Sequence, residues 1–307
     1  MPETEVWTIG RLLNWTTDYL ADRGSPSARL DTELLLAEAC GCERIELYTR
    51  FDTPASDKTR TTFRELVQRR AEGMPVAYLL GRRDFYSSTF RVSPAVLIPR
   101  PETELLVVAL LDLVNARGSE EGTAVAPLTP ASPSGQFRFA DVGTGSGILA
   151  VCAAEHVANC QVTAIDISQE ALEVARQNVQ DHGHTDRIEL CHSDLFDSVP
   201  PGEPYDVILS NPPYIAENEV DMMAAETRDY EPRLALFAGE SGTEVIERLV
   251  PQAAERLAPG GSLLMEISPM IEERVVGLFE GQATWELLPV VKDLAGLSRV
   301  VHARKVG

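Results

Sequence analysis

Four consecutive residues, Asn211-Pro212-Pro213-Tyr214, carry the most specific chemistry in the chain. An amide or aromatic amine nitrogen is a poor nucleophile, because its lone pair is delocalised. A site can still present such a nitrogen by holding its NH2 hydrogens with fixed acceptors, here the Asn211 side-chain carbonyl and the backbone carbonyl of Pro212. Two successive prolines stiffen that backbone, and neither offers an N–H that would compete as a donor. Tyr214 is placed to stack on a flat substrate group. The pattern points to transfer onto a planar nitrogen, driven by orientation and electrostatics with no covalent enzyme intermediate. Asn211, Pro212 and Tyr214 are the candidate catalytic residues, and Asn211, Pro212, Pro213 and Tyr214 the candidate substrate-binding set. Alone, the tetrapeptide would read as a loop with two prolines, so its position in the fold decides.

A second constellation lies upstream, in Asp141-Val142-Gly143-Thr144-Gly145-Ser146-Gly147. It falls where a strand turns into a helix, and its glycines let a ligand approach the backbone N–H groups. Asp166 closes the next strand, where a carboxylate can accept hydrogen bonds from both hydroxyls of a ribose. These features alone fit either a dinucleotide or S-adenosylmethionine. The spacing, G-x-G-x-G after an acidic residue, favours the second. A cofactor without a pyrophosphate makes less use of the helix N-terminus, and its ammonium group calls for an acidic neighbour such as Asp141. Ser193-Asp194-Leu195 ends the third strand, with Asp194 able to meet an adenine amino group and Leu195 able to pack on the ring. Asp at a strand end is also common turn chemistry. The candidate cofactor residues are thus Asp141, Gly143, Thr144, Gly145, Ser146, Gly147, Asp166, Asp194, Leu195 and Asn211.

The elements that must position these residues alternate. Strands are expected over 137–142, 161–166, 187–192, 205–210 and 262–267, with helices over 147–156, 169–182, 243–257 and 271–279. Two last strands, around 285–290 and 299–303, give a doubly wound α/β pattern an antiparallel finish. Asn211 then follows the fourth strand, at the carboxyl end where such sheets bind ligands. Pro259-Gly260-Gly261 reads as a helix stop. Before this domain the pattern is helical: Thr8 caps one helix, and others cover 30–40 and 58–71. Asp84 to Val92 reads as a hairpin, and Pro101 and Glu102 open a helix whose apolar face runs from Leu105 to Leu113. The expected organisation is a helical recognition module over 1–80, a hairpin linker over 81–100 and a Rossmann-like catalytic domain over 101–307. Residues 116–135, rich in Gly, Ser, Pro and Thr, read as a flexible surface insertion.

Composition narrows the partners. Forty-seven acidic against 27 basic side chains give a net charge of −20, which repels phosphate backbones and argues against direct nucleic-acid binding. No apolar run is long enough to span a membrane, and the acidic start Met1-Pro2-Glu3-Thr4-Glu5 is unlike a signal peptide. Five scattered cysteines, with Cys40 and Cys42 the only near pair, suit free thiols in a reducing compartment rather than a metal site. A cytoplasmic monomer without a metal is expected.

The chain resembles the HemK/PrmC family of protein-(glutamine-N5) methyltransferases nearly end to end. The resemblance is carried by Pro75 to Gly81, Leu97-Ile98-Pro99-Arg100-Pro101-Glu102-Thr103-Glu104, the glycine loop, Ser210 to Ile215, Glu231-Pro232-Arg233, Ala235-Leu236-Phe237, Gly239 to Gly242 and Lys292 to Gly296. The Ile-Pro-Arg-Pro-Glu-Thr-Glu segment joined to Asn-Pro-Pro-Tyr is its most selective part. What the resemblance implies is a helical domain joined by a hairpin to a Rossmann-like domain using S-adenosylmethionine. The implied substrate is the glutamine of the Gly-Gly-Gln loop of class I peptide chain release factors. Gly143 to Gly147, Asp166, Leu195 and Asn211 would contact the cofactor, and Arg100 and Glu102 would order the site or form a structural ion pair. Two departures stand out: the length of the 116–135 insertion, and Leu195 where an aromatic is common. An adenine-N6 or cytosine-N4 DNA methyltransferase, working on a flipped base, is the competing enzyme class. A ribosomal-protein glutamine methyltransferase is another alternative within the family.

Overall fold

A computed structural model describes residues 6–115 and 128–307. The acidic N-terminal pentapeptide and residues 116–127 of the expected insertion lie outside them. The chain divides into two units, Met1–Arg82 with Ala224–Tyr230, and Arg83–Met223 with Glu231–Gly307.

The first unit is helical. Helix α1 (Ile9–Ala21) starts where the Thr8 hydroxyl accepts the Arg11 N–H, and α4 (Asp57–Ala71) where Ser56 accepts that of Thr59. Between them run α2 (Ala28–Cys40) and the short α3 (Glu46–Thr49), and α5 (Val76–Leu80) follows. Leu13, Leu35, Leu36 and Leu47 form the centre of the core. A buried arginine must be paired to be tolerated. Arg70 meets Asp31 at 2.7 Å and Glu226 of the short helix Ala225–Tyr230 at 3.0 Å, which ties that distant segment to this unit.

In the second unit, β1 (Arg82–Phe85) and β2 (Ser88–Arg91) form the expected hairpin. Phe85 and Phe90 are buried in the same core as Leu106, Leu110 and Phe139, so the hairpin belongs to this unit's packing. Pro101–Thr103 forms a 3-10 turn and α6 spans Glu104–Asn115. The main sheet contains β3 (Phe137–Val142), β4 (Cys160–Asp166), β5 (Ile188–His192) and β6 (Tyr205–Ser210). The chain then makes a small separate pair, β7 (Ile215–Ala216) and β8 (Phe237–Gly239), and returns as β9 (Leu257–Glu266). Three strands complete the sheet: β10 (Trp285–Leu287), β11 (Val291–Lys292) and β12 (Ser298–Lys305). Its order is β10-β12-β9-β6-β3-β4-β5, with β11 also paired to β12. The strands from β5 to β9 are parallel, and β12 returns antiparallel on β9. This is the doubly wound sheet with an antiparallel edge that the sequence pattern implied.

One boundary differs. The preceding helix, Glu244–Arg256, stops as expected, but Pro259-Gly260-Gly261 lies inside β9, which starts at Leu257 rather than at 262. The ladder between β6 and β9 shifts register there, from Tyr205↔Leu257 to Val207↔Ser262. A Cβ on Gly261 would come within 3.0 Å of the carbonyl oxygens of Asp206 and Ala258, so only glycine lets the bulge close.

Strand order reverses at β3, between β4 on one side and β6 on the other. Register sets Val142 opposite both Ile165 and Ser210, so Gly143, Asp166 and Asn211 emerge at neighbouring carboxyl ends. Helix α7 (Ile148–His156) follows the glycine loop, and α8 (Gln169–Asp181) supplies its brace. Asn178 of α8 is buried, donates to the carbonyls of Ser146 (2.7 Å) and Arg91 (3.0 Å), and accepts the Arg91 N–H (2.7 Å). It thereby joins loop, helix and hairpin. Asn178→Ala should cost about 2–3 kcal/mol of unfolding free energy, because it leaves buried carbonyls unpaired. Denaturant titration checks this, and an unchanged midpoint would show that water replaces the amide.

Candidate active site

The cavity at this reversal is lined by residues from every candidate segment, among them Gly143, Asp166, Leu195, Asn211, Pro212 and Arg100. Its floor is the glycine loop. The Ile165 carbonyl accepts the N–H groups of Gly143 (2.8 Å) and Thr144 (2.9 Å), folding the loop back over β4. Gly143, Gly145 and Gly147 take φ of 75°, 55° and 82°, a region that disfavours other residues. A Cβ on Gly147 would also press on Ala175 of α8 at 3.3 Å. Thr144, Gly145 and Ser146 line the cavity, while Gly147 turns the chain into α7 behind them.

Asp166 has one carboxylate oxygen on the Gly145 N–H and the other on the Ser168 N–H, each at 2.8 Å. Burial raises its pKa, and these N–H donors oppose the rise. The Ile167 N–H also acts on this carboxylate, and at least one lone pair remains for a further donor such as a ribose hydroxyl. Asp194 also lines the cavity, but its carboxylate is held by Arg248 at 2.7 Å. Leu195 stands at φ 50°, a left-handed conformation that a leucine adopts only when its surroundings hold it there.

Asp141 lies behind the loop, fully buried. One oxygen accepts the Thr144 hydroxyl (2.6 Å) and the Ala150 N–H (3.1 Å), while Oδ1 has no partner among the described residues. Burial pushes this carboxyl up to about 7. Asp141, expected as a cofactor residue, does not itself line the cavity but supports the glycine loop from behind, and the loop and Asp166 are what the cavity offers to a ribose-bearing ligand.

On the opposite side, Asn211, Pro212 and Pro213 line the cavity directly. The Asn211 amide nitrogen donates to Thr103 Oγ1 at 3.1 Å, which leaves the amide oxygen as the end available to a ligand. The stacking role expected for Tyr214 is not the one its position gives. Its ring packs against the core and its hydroxyl donates to Glu266 Oε1 at 3.2 Å, so Tyr214 backs the wall instead of lining it. The physical reason is Glu266 itself, a carboxylate 2% exposed at the end of β9 that needs donors more than the cavity needs a second flat face. Burial pushes Glu266 up to about 7 against hydrogen bonds from Thr103 and Tyr214.

Arg100 lines the cavity while paired with Glu231, whose other oxygen accepts the Ile98 N–H at 3.1 Å. Glu102 lies 3.9 Å from Arg299. Thr103, Asn178, Glu231 and Glu266 were not singled out from the sequence as site residues. A signal existed for Glu266, a lone acid after the apolar run Leu263-Leu264-Met265.

Comparison with known proteins adds the following. Residues 11–81 match the family model of the PrmC N-terminal domain, and residues 124–228 that of the methyltransferase small domain. A release factor glutamine methyltransferase from Rhodopirellula baltica is 46% identical over 299 residues, covering 97% of this chain and 97% of that protein. One from Koribacter versatilis is 38% identical over 97% of this chain and 99% of its own length. Among solved structures, the hMettl16 catalytic domain in complex with the MAT2A 3'UTR hairpin 6 shares the fold at 15% identity. Its TM-score is 0.52, over 79% of this chain and 82% of that one.

Asp141 and Glu266, both pushed up to about 7, set a pH dependence. Each binds its proton more tightly folded than unfolded, so its contribution is complete below about pH 4, is lost as pH rises toward about 7 and changes little beyond. The melting temperature of the ligand-free protein should therefore fall between about pH 5 and pH 7, by about 2–4 °C for each kcal/mol lost. Asp141→Asn should flatten that fall. A midpoint that rises over this interval would overturn the assignment.

Proposed function

The chain belongs to the release factor glutamine methyltransferase family, and on that footing we propose that it methylates the glutamine of the Gly-Gly-Gln motif in class I peptide chain release factors. It is an S-adenosylmethionine-dependent protein-(glutamine-N5) methyltransferase. The observation that carries the reading is the sharing of one cavity by the glycine loop and the Asn211-Pro212-Pro213 wall.

When bound, S-adenosylmethionine would supply the methyl as a sulfonium substituent, a group whose transfer to the amide nitrogen would leave the electron pair on sulfur and one amide proton for solvent. Asp166, on this reading, accepts the ribose hydroxyls, and the Gly143–Gly147 loop admits the cofactor close to its backbone. Asp141, with its unpartnered Oδ1, answers the ammonium from behind the loop. Asp194 and Leu195 flank the adenine. Asn211 Oδ1 and the Pro212 carbonyl hold the two hydrogens of the glutamine NH2, which turns the face of the amide nitrogen toward the methyl. Tyr214 supports this wall through Glu266.

The formal charge of −20 favours a protein substrate over DNA, since a phosphate backbone would be repelled. The enzyme acts as a cytoplasmic monomer on this reading. No helix among the described residues is long and apolar enough to cross a membrane.

Incubation with methyl-labelled S-adenosylmethionine and either a class I release factor or duplex DNA tests the proposal. Label is expected on the release-factor glutamine, and label on DNA alone would sink it. Asn211→Ala should lower kcat by about 10²–10³-fold, the usual loss when one aligned polar group is removed from a transition state. Cofactor affinity by calorimetry should stay close to that of the wild type. Unimpaired turnover would remove Asn211 from the role given to it.

A further inference from the structure

We propose that Glu266 is a positioning residue: acting through Thr103, it fixes which end of the Asn211 amide faces the substrate. The inference rests on the functional reading above, in which Asn211 must present an acceptor to an NH2 group.

The two ends of an asparagine amide are nearly equal in size and opposite in hydrogen-bonding sense. Turned one way, Asn211 offers an oxygen to the substrate NH2; turned the other, it sets N–H against N–H. Its nitrogen donates to Thr103 Oγ1 at 3.1 Å. A threonine hydroxyl alone would not hold that choice, because it can give or accept a hydrogen bond and would tolerate either end. It becomes a committed acceptor toward Asn211 only when its own proton is engaged elsewhere.

Glu266 engages it. Thr103 hydrogen-bonds to the Glu266 carboxylate. An ionised carboxylate accepts only, so the direction of each bond in the chain is fixed. Thr103 donates to Glu266, Asn211 donates to Thr103, and the Asn211 oxygen remains for the substrate. Tyr214 donates to Glu266 Oε1 as well, which draws the end of the Asn-Pro-Pro-Tyr segment onto the same anchor.

Packing does not account for an acid at this position. Glu266 is buried beside Leu264 and Met265, and Oε2 has no partner among the described residues. An apolar side chain would fill the same space without the desolvation cost. The charged groups acting on the carboxylate are Arg299, which favours its ionised form, and Glu102, which opposes it. Arg299 is itself anchored at 2.8 Å to Asp293, and Arg100 acts on the neighbouring Tyr214 hydroxyl. With burial dominant, the carboxyl stands at about 7. Once protonated it carries a donor of its own, and the bond directions are no longer imposed.

The test uses the full-length chain and the glutamine-bearing release factor, comparing wild type with Glu266→Gln, Thr103→Val and Thr103→Ser. For Glu266→Gln, kcat should fall by about tenfold or more, as for an interaction that matters in the transition state, with KM little changed. Wild-type kcat should rise with pH through about 7, and that limb should disappear in Glu266→Gln. Cofactor affinity by calorimetry should be unaltered, and the melting temperature at pH 8 should not fall, since a neutral amide is cheaper to bury than an ion. Thr103→Val should reproduce the kinetic loss with Glu266 intact, and Thr103→Ser, which restores the hydroxyl, should recover most of it. Wild-type kcat and pH profile in Glu266→Gln would overturn the inference, as would a Thr103→Val enzyme as active as Thr103→Ser. Should Glu266→Gln fail to fold, the Thr103 pair decides alone. Failure of the functional reading looks different, because wild type itself would then leave the glutamine unmodified. The same variants would be compared on the acceptor it does methylate.

Discussion

The site depends on one carbonyl oxygen. Ile165 ends the run of apolar residues in β4, and its oxygen takes two successive N–H groups from the loop that leaves β3. That forked bond forces the chain to double back at the carboxyl edge of the sheet instead of running on into solvent. The next residue, Asp166, takes a third N–H from the same loop. A loop held by three bonds to one neighbouring strand end has little freedom left, and left-handed glycines are what make the path sterically possible. The cavity and the helix behind it follow from this closure, because the loop delivers the chain into α7 directly under the strand ends.

Two buried acids flank the closure and do comparable things. Asp141 lies under the cofactor side and binds the hydroxyl of Thr144. Glu266 lies behind the Asn211-Pro212-Pro213 wall and binds the hydroxyls of Thr103 and Tyr214. In each case a carboxylate at the end of a sheet strand fixes a hydroxyl-bearing residue of a site segment. Both are costly to ionise, with carboxyls near 7. A fold can carry such costs where the compensation is geometric, since a buried acceptor orients its donors more strictly than water would. This division of labour leaves the Asn211-Pro212-Pro213 segment of the cavity wall to proline and amide groups, which are neutral.

Much of this was legible in the sequence, for identifiable reasons. Strands β3, β4 and β6 are short, largely apolar segments leading to Asp141-Val142-Gly143, Asp166 and Asn211, and such segments in alternation with helices leave few topologies open. The cofactor loop could be read because glycine spacing is a local backbone requirement. What stayed hidden was long-range. Asn178 looks like an ordinary polar position of a helix, yet it is buried because β2 and the glycine loop converge on it from 87 and 32 residues away. Tyr214 was read by type, as an aromatic beside a flat substrate, while its orientation is set by an acid 52 residues further on. Glu231 likewise shows its purpose only once Arg100 and Ile98, more than 130 residues earlier, are seen on its two oxygens. Pro259-Gly260-Gly261 was a sound local signal for the helix stop, while the bulge it makes in β9 depends on the ladder with β6.

Chemistry at the wall also explains why its motif alone cannot name the substrate. Two carbonyl acceptors on a proline-stiffened backbone recognise an NH2 group on a planar atom, and that description fits a glutamine amide as well as an exocyclic amine of a base. Discrimination between them has to come from what else the substrate brings. A nucleic acid brings phosphates, and every phosphate contact needs a cation to repay its desolvation. This chain carries 47 acidic and 27 basic side chains, and arginines near the cavity are already engaged, Arg100 with Glu231 and Arg248 with Asp194. A neutral loop on a protein requires no such cations. On the proposed reading, the acceptors at Asn211 and Pro212 define the reacting group, and the ion pairs that engage Arg100 and Arg248 favour a protein as the molecule that delivers it.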